Sequence, residues 1–177
     1  AARQALGYDH IGFVGTKGYH GVAVMSRLPL GPVDRGPFCR HGHARHMSVT
    51  VGGTGEAAGL TIHNFYVPAG GDEPDPAVNE KFAHKLDFLQ ELRAWGGKRP
   101  SGPAILVGDL NVAPLEHDVW SHKQLLDVVS PTPVETDALA TLRGEAGRID
   151  AALPPPPAPP TLPPWCRYLP PPLAADA

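Results

Sequence analysis

Asp109 and Asn111 follow an apolar run in "GPAILVGDLNVAP", Gly102 to Pro114, and place a carboxylate two residues from an amide. Ala104 to Val107 has the composition of a fully buried strand, and Gly108 permits a close or strained backbone where that strand stops. In open α/β sheets, ligands bind beyond the carboxyl ends of strands, so a polar pair at this point is a candidate site. An isolated Asp-x-Asn also closes a strand as a plain Asx-turn. The second group with chemistry to offer is "NFYVPAGG", Asn64 to Gly71, which supplies an amide, a phenol and a Pro-Gly turn. Taken alone, a tyrosine at a strand end is half-buried packing with its hydroxyl in water. The third is "CRHGHARH", with Cys39, His41, His43 and His46. It looks like a zinc set, but such tight spacing in a glycine-containing loop does not match the usual paired-ligand pattern, and no metal is expected there.

The elements that must position these groups follow from periodicity. "HIGFVG" (His10 to Gly15) and "GVAVMSR" (Gly21 to Arg27) read as strands. "RHMSVTV" (Arg45 to Val51) and "GLTIHNFYVP" (Gly59 to Pro68) are rich in β-branched residues, and the turn-forming "GGTGEAAG" between them predicts a hairpin. Between Pro76 and Trp95 the period changes: Val78, Phe82, Leu86, Leu89 and Leu92 recur at helical spacing, with Lys, Glu and Asp opposite. Strand, helix, strand in succession predicts a parallel pair with a right-handed crossover. Parallel strands end on one edge, so Tyr66 should meet Asp109 and Asn111 at a single rim. A further helix is expected from Thr136 to Gly144.

The chain has 177 residues and is 42% hydrophobic, enough for one domain with a core that needs no cross-links. Two cysteines, Cys39 and Cys166, make no disulfide framework. With no signal pattern and no apolar run of spanning length, a cytoplasmic, monomeric protein away from membranes is expected. A formal charge of −3 excludes a globally basic nucleic-acid-coating protein but leaves room for a small cationic groove. Residues 151–177 differ from the rest. Leu153 to Ala177 holds 11 of the 22 prolines, so this tail is expected to be extended, disordered or out of frame.

The order of "KGYHGVAVMSR", an Ala-Arg strand, "NFYVP", a long helix and "GDLNVAP" resembles the exonuclease III and abasic-site endonuclease family, within the endonuclease/exonuclease/phosphatase superfamily. The resemblance runs from about Gly7 to Asp150. It implies an α/β protein of α+β type, an incomplete four-layer sandwich of two packed mixed sheets with outer helices, in residues 1–150. It also implies a DNA-repair hydrolase that uses Mg²⁺ or Mn²⁺ on double-stranded DNA with abasic sites or 3′ ends.

By the same resemblance, Tyr66 matches the tyrosine beside the scissile phosphate, and Asn64 its supporting amide. Asp109 matches the aspartate that orients the attacking water, and Asn111 the asparagine that bonds a phosphate oxygen. Phosphodiester hydrolysis builds negative charge on nonbridging oxygens, which suits donors and a divalent cation around one carboxylate. Asp109 and Asn111 would touch the metal at a second site or indirectly. Arg45 suits a DNA phosphate, and His20 is a phosphate contact or a surface histidine. Gln90-Glu91 mimics the family's metal-binding Gln-Glu pair but falls in the helix, where it reads as solvated surface. His117, Asp118 and Lys123 read as loop residues.

The family's first strands, with an asparagine and a Mg²⁺-binding glutamate, have no match in this sequence, nor does its terminal serine-aspartate-histidine. A partial or frameshifted copy with little activity and marginal stability is therefore expected. Two alternatives remain: a superfamily phosphatase or phospholipase, and a noncatalytic fragment whose proline tail docks in an aromatic groove.

Overall fold

The structure is a computed structural model that describes residues 5–36, 38–96, 102–115, 118, 119, 121 and 128–145. The proline-rich segment 151–177, with Cys166, and the residues His117 and Lys123 lie outside the described residues. Strands β1 (His10–Gly15) and β2 (Gly21–Ser26) pair antiparallel into a two-stranded sheet. Strands β3 (His46–Thr50), β4 (Thr61–Tyr66) and β5 (Ala104–Asp109) form a mixed sheet in the order β3-β4-β5. The expected hairpin is present as the antiparallel β3–β4 pair. The crossover through helix α1 (Glu80–Gly96) makes β4 and β5 parallel. A second helix, α2 (Pro133–Glu145), packs against α1.

Two apolar layers hold this arrangement. Between the sheets, Val14 and Val22 meet Met47 and Val49, with Ile62 and Tyr66 at the margin. On the other face of the mixed sheet, Phe65 and Val67 pack under Phe88, Leu89 and Leu92 of α1 and Leu139 and Leu142 of α2. Burying a side chain the size of Phe65 contributes about 2 kcal/mol, so each layer holds its part of the sheet in place. The described residues thus stack as helices, mixed sheet and antiparallel sheet, the incomplete α/β sandwich that the resemblance implies. Ile11, Phe13 and Met25 on the outer face of β1–β2 are 45%, 67% and 54% exposed, the open apolar surface expected of such a sandwich.

Three expectations need correction. β5 is not fully buried: Ile105 and Val107 are 41% and 40% exposed, because β5 is the outer strand of its sheet and β1 and β2 pack against β3 and β4. Val78 lies before α1 and is exposed, and the helix buries Lys85 completely, so its charges are not all on one solvated face. Asn79 caps α1, its Oδ1 accepting from the Lys81 and Phe82 amides at 3.0 and 3.3 Å. Finally, α2 begins three residues earlier than Thr136. Glu135 reaches back to accept from the Thr132 amide and hydroxyl, one half of a capping box, with Pro133 at the first helical position.

Candidate active site

The rim predicted from topology exists in the register of β4 and β5. Tyr66 is the direct partner of Asp109, Phe65 of Gly108 and Asn64 of Val107. Gly108 is at φ 124°, and a Cβ there would collide with the Phe65 carbonyl oxygen, so only glycine lets the strands run together to their ends. Past the rim, the Asn111 amide donates to Asp109 Oδ1 at 3.1 Å, so the Asx-turn is real and coexists with the site. Asn111 sits at φ 49°, and its Nδ2 donates to the Val67 carbonyl at 2.9 Å. Among the described residues, that leaves Asp109 Oδ2 and the second Nδ2 hydrogen of Asn111 without a hydrogen-bond partner. Asp109 itself is exposed.

Arg45 completes the rim. Its guanidinium carbon lies 4.7 Å from the centre of the Tyr66 ring, and Nη1 donates to the Tyr66 carbonyl at 3.2 Å. The cation is stacked on the phenol and 6% exposed, a fixed position and not a waving surface arginine. Asn64 sits nearby but donates Nδ2 to the Ala23 carbonyl of β2 at 2.9 Å, so it ties the two sheets together. His20 is not a surface histidine. It is 9% exposed, and its Nδ1 accepts from the Ala44 amide at 3.1 Å, which puts the proton of the neutral ring on Nε2. Burial, and then the Arg45 charge, lower its pKa.

Behind the rim lies a residue that the sequence reading assigned to solvent. Lys85 Nζ donates to the Asn111 carbonyl at 2.5 Å and to the Ala69 carbonyl at 3.2 Å, and it pairs with Glu135 of α2. Both ionic side chains are fully buried. Glu135 Oε2 in turn accepts from the Ser130 amide at 2.8 Å and from the Thr132 hydroxyl. Burial lowers the Lys85 pKa while Glu135 opposes the shift. Lys85 thus pins the loops that follow β4 and β5, and so sets where Asn111 stands. A lysine recurring with Phe82, Leu89 and Leu92 on the helix was the available signal.

A second cluster lies on the other side of Arg45. Cys39 Sγ is 3.3 Å from His84 Nε2, and ligand atoms of Cys39, His43 and His84 all lie within 4.8 Å of one another, a group able to hold a metal. The loop's spacing alone could not reveal this cluster, because its third donor, His84, comes from α1 and leaves no mark on the loop. His46 takes no part. It faces His63 in the core at 3.2 Å, and burial brings its pKa down to about 4. Burial, reinforced by His41 and His43, likewise lowers His84 to about 4. Glu91 is not solvated surface either: Oε2 accepts the Cys39 amide at 2.8 Å and Oε1 the Arg40 amide at 3.0 Å, while Gln90 is exposed. Asp118 is an exposed loop residue as expected, accepting from the Leu115 amide at 2.8 Å.

The two-sheet α/β sandwich thus carries a carboxylate, a phenol, an amide and an arginine lying over the phenol ring on one rim. Residues 1–172 match the Endonuclease/Exonuclease/phosphatase family, and the chain belongs to it. Among solved structures it is similar to an AP endonuclease from Archaeoglobus fulgidus, with 27% identity and a TM-score of 0.67 over 80% of this chain and 52% of that one. It is also similar to a 3′-5′ exonuclease from Neisseria meningitidis, with 25% identity and a TM-score of 0.67 over 81% and 54%. A 3′ phosphatase from Neisseria bound to product DNA hairpin, 23% identical with a TM-score of 0.66, shares the fold. The chain spans about half the length of these structures. No curated protein matches it. Among the described residues, no helix is long and apolar enough to cross a membrane.

Proposed function

We propose that the protein is a DNA phosphodiesterase of exodeoxyribonuclease III type, a 3′ to 5′ exonuclease and abasic-site endonuclease. The observation that carries this reading is the pairing of Tyr66 with Asp109 at the β4–β5 rim, with Arg45 stacked on the tyrosine. Asp109, with Oδ2 unengaged by Asn111, takes the proton of the attacking water. Asn111 donates its second Nδ2 hydrogen to a nonbridging oxygen, and the Tyr66 phenol lies beside the phosphate. Arg45 holds a flanking phosphate, with His20 contributing Nε2–H. Asn64 keeps β4 at the height at which these groups converge.

The cofactor proposed for the whole protein is Mg²⁺ or Mn²⁺, with Asp109 and Asn111 as second-site or indirect ligands. The described rim residues do not fit a resident Mg²⁺ by themselves. They offer a single carboxylate, one oxygen of which already accepts the Asn111 amide, whereas Mg²⁺ takes near-octahedral oxygen coordination. The roles above therefore rest on side chains alone.

The test is to incubate the protein and Mg²⁺ with a labelled duplex carrying one abasic site, beside an intact duplex and an inositol phosphate. Because the rim lacks a full Mg²⁺ ligand set, weak cleavage at the abasic site, measured at high protein concentration and lost in Asp109→Asn, is the expected result. Cleavage indifferent to that substitution, or hydrolysis confined to the inositol phosphate, would falsify the proposal.

A further inference from the structure

The Cys39 loop has the donors of a metal site and the scaffolding that would hold them ready. Cys39 is 5% exposed and sits at φ 67°, a conformation uncommon for a residue with a side chain. Three features keep it there. Glu91 accepts its amide, the Gly42 amide closes the turn on its carbonyl at 2.7 Å, and Asp87 and Glu91 clamp Arg40 at 3.3 and 3.2 Å. His84, Asp87 and Glu91 recur at three and four residues along α1, so one stripe of the helix both anchors the loop and presents an imidazole to its sulfur. The Arg45 Nε–H points to His43 Nδ1 at 3.5 Å, which leaves His43 Nε2 as the nitrogen for a ligand. One sulfur and two imidazole nitrogens form a borderline-soft set that selects against Mg²⁺.

We propose that Cys39, His43 and His84 bind Zn²⁺, with the fourth position open to water beside the exposed His41. Binding replaces the thiol proton of Cys39, which passes to solvent, with a zinc–sulfur bond. The ion ties the loop at 39–43 to α1, two residues before Arg45, so the site fixes the segment that carries the arginine stacked on Tyr66. This inference stands apart from the reading of the β4–β5 rim. A nitrogen and sulfur site on the loop does not depend on what the rim hydrolyses.

The test is a titration of the purified full chain with Co²⁺ alone, a spectroscopic substitute for Zn²⁺. Expected are a thiolate-to-cobalt charge-transfer band and four-coordinate d–d absorption that saturate at equimolar metal and bleach when Zn²⁺ is added. Cys166→Ser should leave the band intact. His84→Gln, shown to be folded by circular dichroism, should weaken binding by roughly 100-fold or more. If His84→Gln does not fold, His43→Gln reads the same band. The proposal is overturned if the folded wild type gives no charge-transfer band, if Cys166→Ser removes it, or if the histidine variant binds as tightly as the wild type.

Discussion

At the β4–β5 rim, polar groups leave the ends of two neighbouring parallel strands, whereas at the Cys39 loop they come from a turn and from one stripe of a helix. Both regions touch Arg45: its guanidinium stacks on Tyr66, and its Nε reaches toward His43. The rim offers oxygen and amide donors around an exposed carboxylate. The loop offers sulfur and nitrogen around a buried thiol. Strand register can place hard, anion-handling groups within two or three residues of a strand end, while a soft metal set needs donors converging from different directions. The two regions are therefore chemically separate, although they share one short segment of chain.

The largest effect is expected from Asp109→Asn. It should lower abasic-site cleavage by roughly 10³-fold while leaving the Co²⁺ band of the Cys39 cluster unchanged. Loss of both signals would show that the two regions are one unit.

Next comes Lys85→Met, which leaves Glu135 buried without its partner. A cost of about 3–5 kcal/mol in urea unfolding is expected, with the rim disturbed more than the loop because Lys85 holds Asn111. A change below about 1 kcal/mol would mean that the pair does not organise the rim.

Protonation gives a third contrast, since His46 lies in the core beneath Phe38 and Phe65, apart from the rim groups. Its folded pKa of about 4 lies below the ordinary 6.5. Above pH 6.5 both folded and unfolded chains carry it neutral, and its contribution to stability is complete. As pH falls from 6.5 toward 4, the unfolded chain takes up a proton that the folded one refuses. Stability should then decline by about 1.4 kcal/mol per pH unit for this histidine, and by less in His46→Gln. Urea midpoints that stay flat across that window in the wild type would contradict the assignment.

The smallest effect is Arg45→Lys, which keeps the charge and loses the planar stacking on Tyr66. Weaker DNA binding by about 1 kcal/mol at fixed salt is expected. No change would mean that the stack does not orient the phosphate contact.

The sequence by itself determined the hairpin, the strand-helix-strand crossover and the meeting of Tyr66 with Asp109, because hydrophobic period sets element type and parallel strands must end on the same edge. Those inferences need only neighbours along the chain and one handedness rule. What the tertiary structure alone decided lies in long-range side-chain partners. Lys85 reads as a charge on a solvated face until Glu135 and the Asn111 carbonyl, both distant in sequence, surround it. Glu91 reads as surface until the Cys39 loop folds onto it, and that loop shows no ligand pattern until His84 approaches from α1. Periodicity averages over a helix face and cannot say which charge on it meets a partner, because burial of an ion is set by the groups that arrive from elsewhere and not by its own neighbours.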